Sequence, residues 1–230
     1  GSGGNEAIER KEYRKDRLYL NDGKGKFTYQ PTALPESYLN TSVVTVHDFD
    51  GDGDIDLFVG TRSVPGIYGI NPDSFLLENG GNGNFKNVTE AKAFDLMKIG
   101  MITDAAWADM TGDGIKDLVV VGDWMAPAVF ENSGKRLRLL KSNLDELTGL
   151  WNALSVADLD GDGDLDLVLG NKGTNWYLKT SKEKPAKLFV NDFDNNGTIE
   201  QIFSRNFKDK DVPLALRREL AGQIPSLKKE

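Results

Sequence analysis

Five aspartates fall within nine residues at Asp48-Phe49-Asp50-Gly51-Asp52-Gly53-Asp54-Ile55-Asp56. Carboxylates that close repel one another, and burial worsens the repulsion, so the spacing calls for a cation. Oxygen side chains at positions one, three, five and nine, with glycine at six to permit a sharp turn, suit a hard ion with many oxygen ligands. Ca²⁺ fits better than Mg²⁺, which keeps its waters and demands an octahedral shell. The pattern recurs at Asp109, Thr111, Asp113 and Asp117, and at Asp158, Asp160, Asp162 and Asp166. A looser copy has Asp192, Asp194, Asn196 and Glu200, and continues as Gln201-Ile202-Phe203 instead of the Leu-Val-Gly type of ending. Position seven offers its backbone carbonyl, so its side chain is free to vary: Asp54, Ile115, Asp164 and Thr198. Three to four Ca²⁺ ions are expected.

An EF-hand opens in the same way but needs a bidentate Glu at position twelve and a helix after the loop. Position twelve here is Val59, Val120, Leu169 and Phe203, each within an apolar run that reads as a buried strand. The unit is therefore strand, metal loop, strand.

The formal charge of −8 belongs to these loops. They hold sixteen of the 36 acidic residues and one of the 28 basic ones, leaving the remainder at +7. Acidity is then no argument about partners. The chain has no cysteine, which excludes disulfides and thiolate metal sites. Metal loops of the weak extracellular type work where calcium is on the order of millimolar, which favours an exported protein. No signal peptide or transmembrane run is legible, and no direct membrane insertion is expected.

A second repeat interleaves with the first. Leu18-Tyr19-Leu20-Asn21-Asp22-Gly23-Lys24-Gly25-Lys26-Phe27 matches Leu76-Leu77-Glu78-Asn79-Gly80-Gly81-Asn82-Gly83-Asn84-Phe85, with a shorter form at Val129-Phe130-Glu131-Asn132-Ser133-Gly134. Each reads as a β-hairpin around a glycine-rich turn. Together the repeats predict a four-stranded unit: Ser42–His47, Asp56–Gly60, and about 75–79 and 85–89, with the next unit opening near 103–108. All-β units of this length point to a propeller.

These repeats resemble the FG-GAP/VCBS family, the integrin-α-like Ca²⁺-binding β-propeller, over about residues 17–206. The phrases Gly60-Thr61-Arg62-Ser63-Val64-Pro65-Gly66 and Gly170-Asn171-Lys172-Gly173 resemble those of bacterial exported members related to cartilage-acidic-protein (ASPIC) proteins. The resemblance implies ions bracing the inner hairpin of each blade on one face, and ligands taken on the opposite face. A closed propeller of this family needs roughly seven blades, more than 230 residues supply, so the expectation is a partial propeller. Its remaining blades would come from other segments or a longer parent chain. Residues 17–30 read as half a blade. Gly1–Gly4 reads equally as the end of a missing strand or as an expression linker. The domains read as propeller blades over 1–206 and an extension over 207–230. The extension carries a short helix at 214–220 that opens after Pro213 and is stopped by Gly222 and Pro225. Its Arg217, Arg218, Lys228 and Lys229 read as a solvated face, with no nucleic-acid partner.

The single histidine, His47, sits in a strand, and the carboxylates are committed to metal, so no catalytic site is expected. Binding is the better reading. Connections at the end of the strands opposite the loops carry Arg62, Tyr68, Trp124, Lys172, Asn175 and Trp176, which suit a glycan or protein ligand. Packing between blades is the alternative role for Trp124 and Trp176, and Trp107 and Trp151 read as core or blade-interface residues. The functional expectation is a non-catalytic, calcium-stabilised binding or adhesion module, extracellular or on a bacterial surface, with the periplasm as the other compartment. The alternative is a scaffold domain of a larger polysaccharide-processing or transport assembly.

Overall fold

The computed structural model describes residues 11–173, 178 and 180–229. The described residues are all-β in character, with two short α-helices among them, and the contacts divide the chain into two units. The first comprises residues up to 66 together with 71–172; the second comprises 67–70 and 173–230.

In the first unit, β1 (Leu18–Asn21) and β2 (Phe27–Gln30) form a two-stranded hairpin. A four-stranded antiparallel sheet follows: β3 (Asn40–His47), β4 (Asp56–Ser63), β5 (Phe75–Asn79) and β6 (Phe85–Asn87). The same order repeats in β7 (Met101–Ala108), β8 (Asp117–Met125), β9 (Ala128–Asn132) and β10 (Leu137–Leu140). A third inner hairpin, β11 (Gly149–Ala157) and β12 (Asp166–Asn171), joins β8 through Gly149 opposite Met125 and Leu150 opposite Asp123. Trp124 bulges out between those pairs with φ 59°. The metal loops are the β3–β4, β7–β8 and β11–β12 connections, as the spacing predicts.

Period-two alternation decides which way each sheet faces. Phe58, Leu76 and Val43 of the β3–β6 sheet pack with Ile102, Ala105, Leu118 and Val120 of the next sheet, forming the main core. Strand β8 is buried on both faces through Leu118-Val119-Val120-Val121, which explains its unbroken apolar run. The opposite face of the β3–β6 sheet is less covered. Val44 and Val46 remain 52% and 57% exposed, and with Leu57, Val59 and Leu77 they border a cavity of ≈ 360 Å³ beside residues 34–37.

Hydroxyls stitch consecutive sheets. Ser42 Oγ donates to Ile102 O at 2.6 Å, and its equivalent Thr103 Oγ1 donates to Trp151 O at 2.7 Å. Gly122 lies where β8 meets β7: a Cβ there would stand 2.2 Å from Met101 O and 2.7 Å from Met125 Sδ.

The second unit holds β13 (Lys187–Asn191), β14 (Glu200–Phe207) and β15 (Lys210–Pro213) in one antiparallel sheet. The fourth metal loop joins β13 and β14. Tyr68 stacks on Phe203 in this unit, with centroids 6.4 Å apart and planes 14° apart.

Several boundaries differ from the sequence reading: β3 opens at Asn40 rather than Ser42, and β4 runs on to Ser63 rather than ending at Gly60. Strand β6 stops at Asn87, because Asn87 Oδ1 accepts from the Thr89 amide and hydroxyl and turns the chain into α1 (Thr89–Lys92). Residues 210–213 form β15, which continues the sheet past residue 206. The terminal helix, α2 (Arg217–Gln223), starts later than 214 and runs through Gly222. Leu216 is extended, and its amide donates to Glu219 Oε2 at 2.8 Å.

Gly122→Ala should cost about 1–3 kcal/mol, because a backbone carbonyl cannot withdraw from the added methyl. Gly222→Ala, on an open helix face, should stabilise by about 0.5–1 kcal/mol. Urea unfolding of the two variants beside the parent checks both signs.

Candidate metal centres

Each loop is shaped by its first carboxylate. Asp48 Oδ1 accepts from the Gly51 amide at 2.9 Å, and Oδ2 accepts from the Gly53 amide at 3.0 Å. Asp109 does the same with Gly112 and Gly114, and Asp158 with Gly161 and Gly163. Asp192 takes Asn196 and Gly197. The turn needs positive φ at position six, 94° at Gly53 and 98° at Gly163, a region glycine enters without strain.

Position five fastens position seven. Asp52, Asp113, Asp162 and Asn196 each accept from the amide two residues on, at 2.7–2.9 Å.

The ninth position lies under the loop floor. Asp56 and Asp117 are essentially buried, at 1% and 0% exposure, and Glu200 is at 6%. Asp56 Oδ2 accepts from the Phe49 amide, and Oδ1 accepts from the Asn79 amide at 2.8 Å. Asp117 takes the Met110 and Thr111 amides on one oxygen and the Asn132 amide on the other. In the first two sheets this carboxylate therefore ties the loop to the end of the third strand. Burial pushes the Asp56 carboxyl above its usual range; the Asn79 and Phe49 amides oppose this, and Asp50 and Asp52 add to it.

The side chains converge as a metal would require. Asp48, Asp50 and Asp56 bring carboxylate oxygens within 4.8 Å of one another, as do Asp158, Asp160 and Asp166, and Asp192, Asp194 and Glu200. Position five is not part of these groups; its side chain is turned to the position-seven amide. The second loop forms no such group among the described residues, since Thr111 replaces a carboxylate at position three. Two oxygens decide the fit. Asp50 Oδ1 and Asp194 Oδ1, both at position three, are buried without a hydrogen-bond partner. A buried carboxylate oxygen with nothing to accept is costly, and a hard cation is its natural partner.

Among residues outside the loops, Lys92 Nζ donates to Asp50 Oδ2 at 2.8 Å, bonds Glu78, and lies 5.0 Å from the Phe49 ring centre. Burial alone would lower the Lys92 ammonium, but the two carboxylates prevail and hold it above its usual value. His47 packs on Trp107, with ring centres 5.2 Å apart. Burial holds its imidazole below 6.5, Lys116 adds to this and Asp48 opposes it.

At the other end of the strands, Arg62 Nε and Nη2 both donate to Asp123 Oδ2, at 3.1 and 2.8 Å. Asp123 is buried, while the Arg62 side chain is 46% exposed. The two residues occupy the same position in consecutive repeats, fourteen after each loop start, and exposed Lys172 is the third member. Tyr68 belongs to the second unit, on Phe203. Asn175 and Trp176 lie outside the described residues. Trp107 is packed against the main core, and Trp151 Nε1 donates to Leu147 O.

Sequence reasoning missed the asparagines. Asn79 Oδ1 accepts from Gly81 and Gly83, and its Nδ2 donates to Ile55 O. Asn132, fully buried, donates from Nδ2 to Phe49 O at 3.0 Å and Lys116 O at 3.1 Å, so it clasps two metal loops at once. The signal was present in the constant offset of asparagine before the glycines, which reads as turn chemistry alone. Asn132→Ala should cost about 2–4 kcal/mol, because it leaves the buried Phe49 carbonyl and the partly buried Lys116 carbonyl unpaired. Asn132→Asp should be no better, since a carboxylate would face both carbonyls. Equilibrium urea unfolding in millimolar calcium measures both.

The FG-GAP-like repeat model matches residues 7–59 and 109–169. No curated protein matches the chain. The two matches cover the first three metal loops and most of the strands beside them, and the chain belongs to the FG-GAP/VCBS repeat family.

Proposed function

We propose that this chain is a non-catalytic, calcium-stabilised binding module. In it, the loops hold three to four Ca²⁺ ions and the opposite strand ends take a glycan or protein ligand. The observation that carries the calcium reading is the pair of buried, unpartnered oxygens of Asp50 and Asp194 inside converging carboxylate groups. In the first loop Asp48, Asp50 and Asp56 would hold the ion, with Asp52 and the Asp54 carbonyl completing the shell. Asp109, Thr111, Asp113, Asp117 and the Ile115 carbonyl are the weaker equivalent. Asp158, Asp160, Asp162, Asp166 and Asp164 serve the third loop, and Asp192, Asp194, Asn196, Glu200 and Thr198 the fourth. Bound calcium neutralises the carboxylates and fixes loop geometry.

Repeats of this family occur in extracellular and adhesion-type modules, which favours an exported or cell-surface location. No helix among the described residues is long and apolar enough to cross a membrane. The repeated four-stranded sheets, the two-stranded β1–β2 hairpin and the open Val44/Val46 face support a partial propeller completed by other blades. Trp124 and Lys172, with Arg62 held by Asp123, are the candidate ligand contacts. The bulge at Trp124 costs backbone strain, a feature that clusters at ligand clamps. The scaffold reading draws on the same open face.

Glycan and peptide arrays probed with the chain in millimolar calcium and in EDTA test the binding reading. Calcium-dependent binding to a restricted ligand set, weakened at least tenfold by Trp124→Ala or Lys172→Ala with the fold intact, is the expected result. Silence from the isolated chain, with binding recovered only when it is joined to further blades, would favour the scaffold role. Silence in both would overturn the module reading.

A further inference from the structure

The first metal loop differs from the others in one respect. Its position-three carboxylate is shared with an ammonium group. Lys92 ends α1, and its Nζ bonds Asp50 Oδ2 at 2.8 Å while Glu78, on β5, binds the same ammonium. The Phe49 ring, 1% exposed, lies 5.0 Å below Nζ and shields the group from water on that side. The Asp50 and Lys92 side chains are only 13% and 28% exposed, so solvent screens the pair weakly. Asp50 Oδ1, the other oxygen of the same carboxylate, has no partner and belongs to the converging group. Among the described residues no ammonium is bonded to Asp160 or Asp194, the equivalents in the third and fourth loops. The second loop has no carboxylate at this position at all.

We propose that Lys92 is a resident cation that sets the calcium affinity of the first loop. One Asp50 oxygen holds the ammonium permanently and leaves the other for the ion. This has two opposing consequences. Without metal, Lys92 offsets part of the carboxylate repulsion and keeps the loop and α1 in place. With metal, its positive charge beside Ca²⁺ opposes the ion, so the first loop binds more weakly than the third despite an equal number of aspartates. Glu78 moderates the effect, because it draws the ammonium away from Asp50. The proposal rests on the calcium reading of the loops.

Amide resonances of the position-six glycines separate the sites, since each donates to its own loop's first aspartate: Gly53 to Asp48, Gly163 to Asp158 and Gly197 to Asp192. Calcium is titrated into the metal-free chain, and each amide is followed by ¹H–¹⁵N correlation spectra. In the parent, the Gly53 midpoint should lie at higher calcium than that of Gly163. Lys92→Met keeps the apolar stem over Phe49 but removes the charge. It should lower the Gly53 midpoint by about tenfold, leave Gly163 and Gly197 in place, and lower the metal-free melting temperature. Glu78→Gln should move the Gly53 midpoint the other way. An unchanged or raised Gly53 midpoint in Lys92→Met, with the other loops still titrating, overturns the role of Lys92 alone. No titration at any glycine in either protein overturns the calcium reading and this inference with it.

Discussion

A carboxylate buried under the floor of the first, second and fourth loops, and partly buried under the third, is the constraint on which the rest of the molecule depends. Asp56 and Asp117 are almost fully withdrawn from water, where an isolated charge would be prohibitive. Backbone amides from both sides make it tolerable. One side is the second residue of the loop; the other is the asparagine closing the third strand. The inner hairpin, the loop and the outer hairpin of each of the first two sheets are therefore held at one point. A cation above would complete the arrangement, turning mutual repulsion among the aspartates into shared coordination.

The same logic runs from repeat to repeat. Asn132 reaches back to the Phe49 carbonyl of the preceding loop, Ser42 and Thr103 reach forward to the next inner strand, and Arg62 meets its own counterpart, Asp123. Polar contacts of this kind fix register, while the apolar core supplies the driving force. One face of the β3–β6 sheet is sealed by the next sheet, and the other keeps Val44 and Val46 partly exposed.

Much of this was legible in the sequence because the chemistry is local. Five aspartates at alternate positions with glycine at six specify a loop, and the apolar runs after Asp56, Asp117 and Asp166 specify strands of the right period. What escaped was set by contacts far apart in the chain. Lys92 lies 42 residues from Asp50, and Asn132 lies 83 from Phe49; no local pattern announces either. The helix after Asn87 escaped because an asparagine side chain, accepting from the amide two residues on, cut short a strand that alternation would have extended. The end of the chain misled for a related reason. Pro213 marks a plausible helix start, yet pairing of Ser204 with Pro213 keeps that stretch in the sheet.

The most direct test of the account is a thermal melt of the chain in excess EDTA and across a calcium series, with magnesium as control. A ligand confined to the folded state must raise stability by mass action. Three loops, each about tenfold above its dissociation constant, would contribute roughly 4 kcal/mol, a rise on the order of 10 °C. The account predicts a rise of that size that saturates with calcium and is not reproduced by magnesium. Identical melts in calcium and EDTA would contradict it, because the converging carboxylates would then have to be stable without the ion they are arranged to hold.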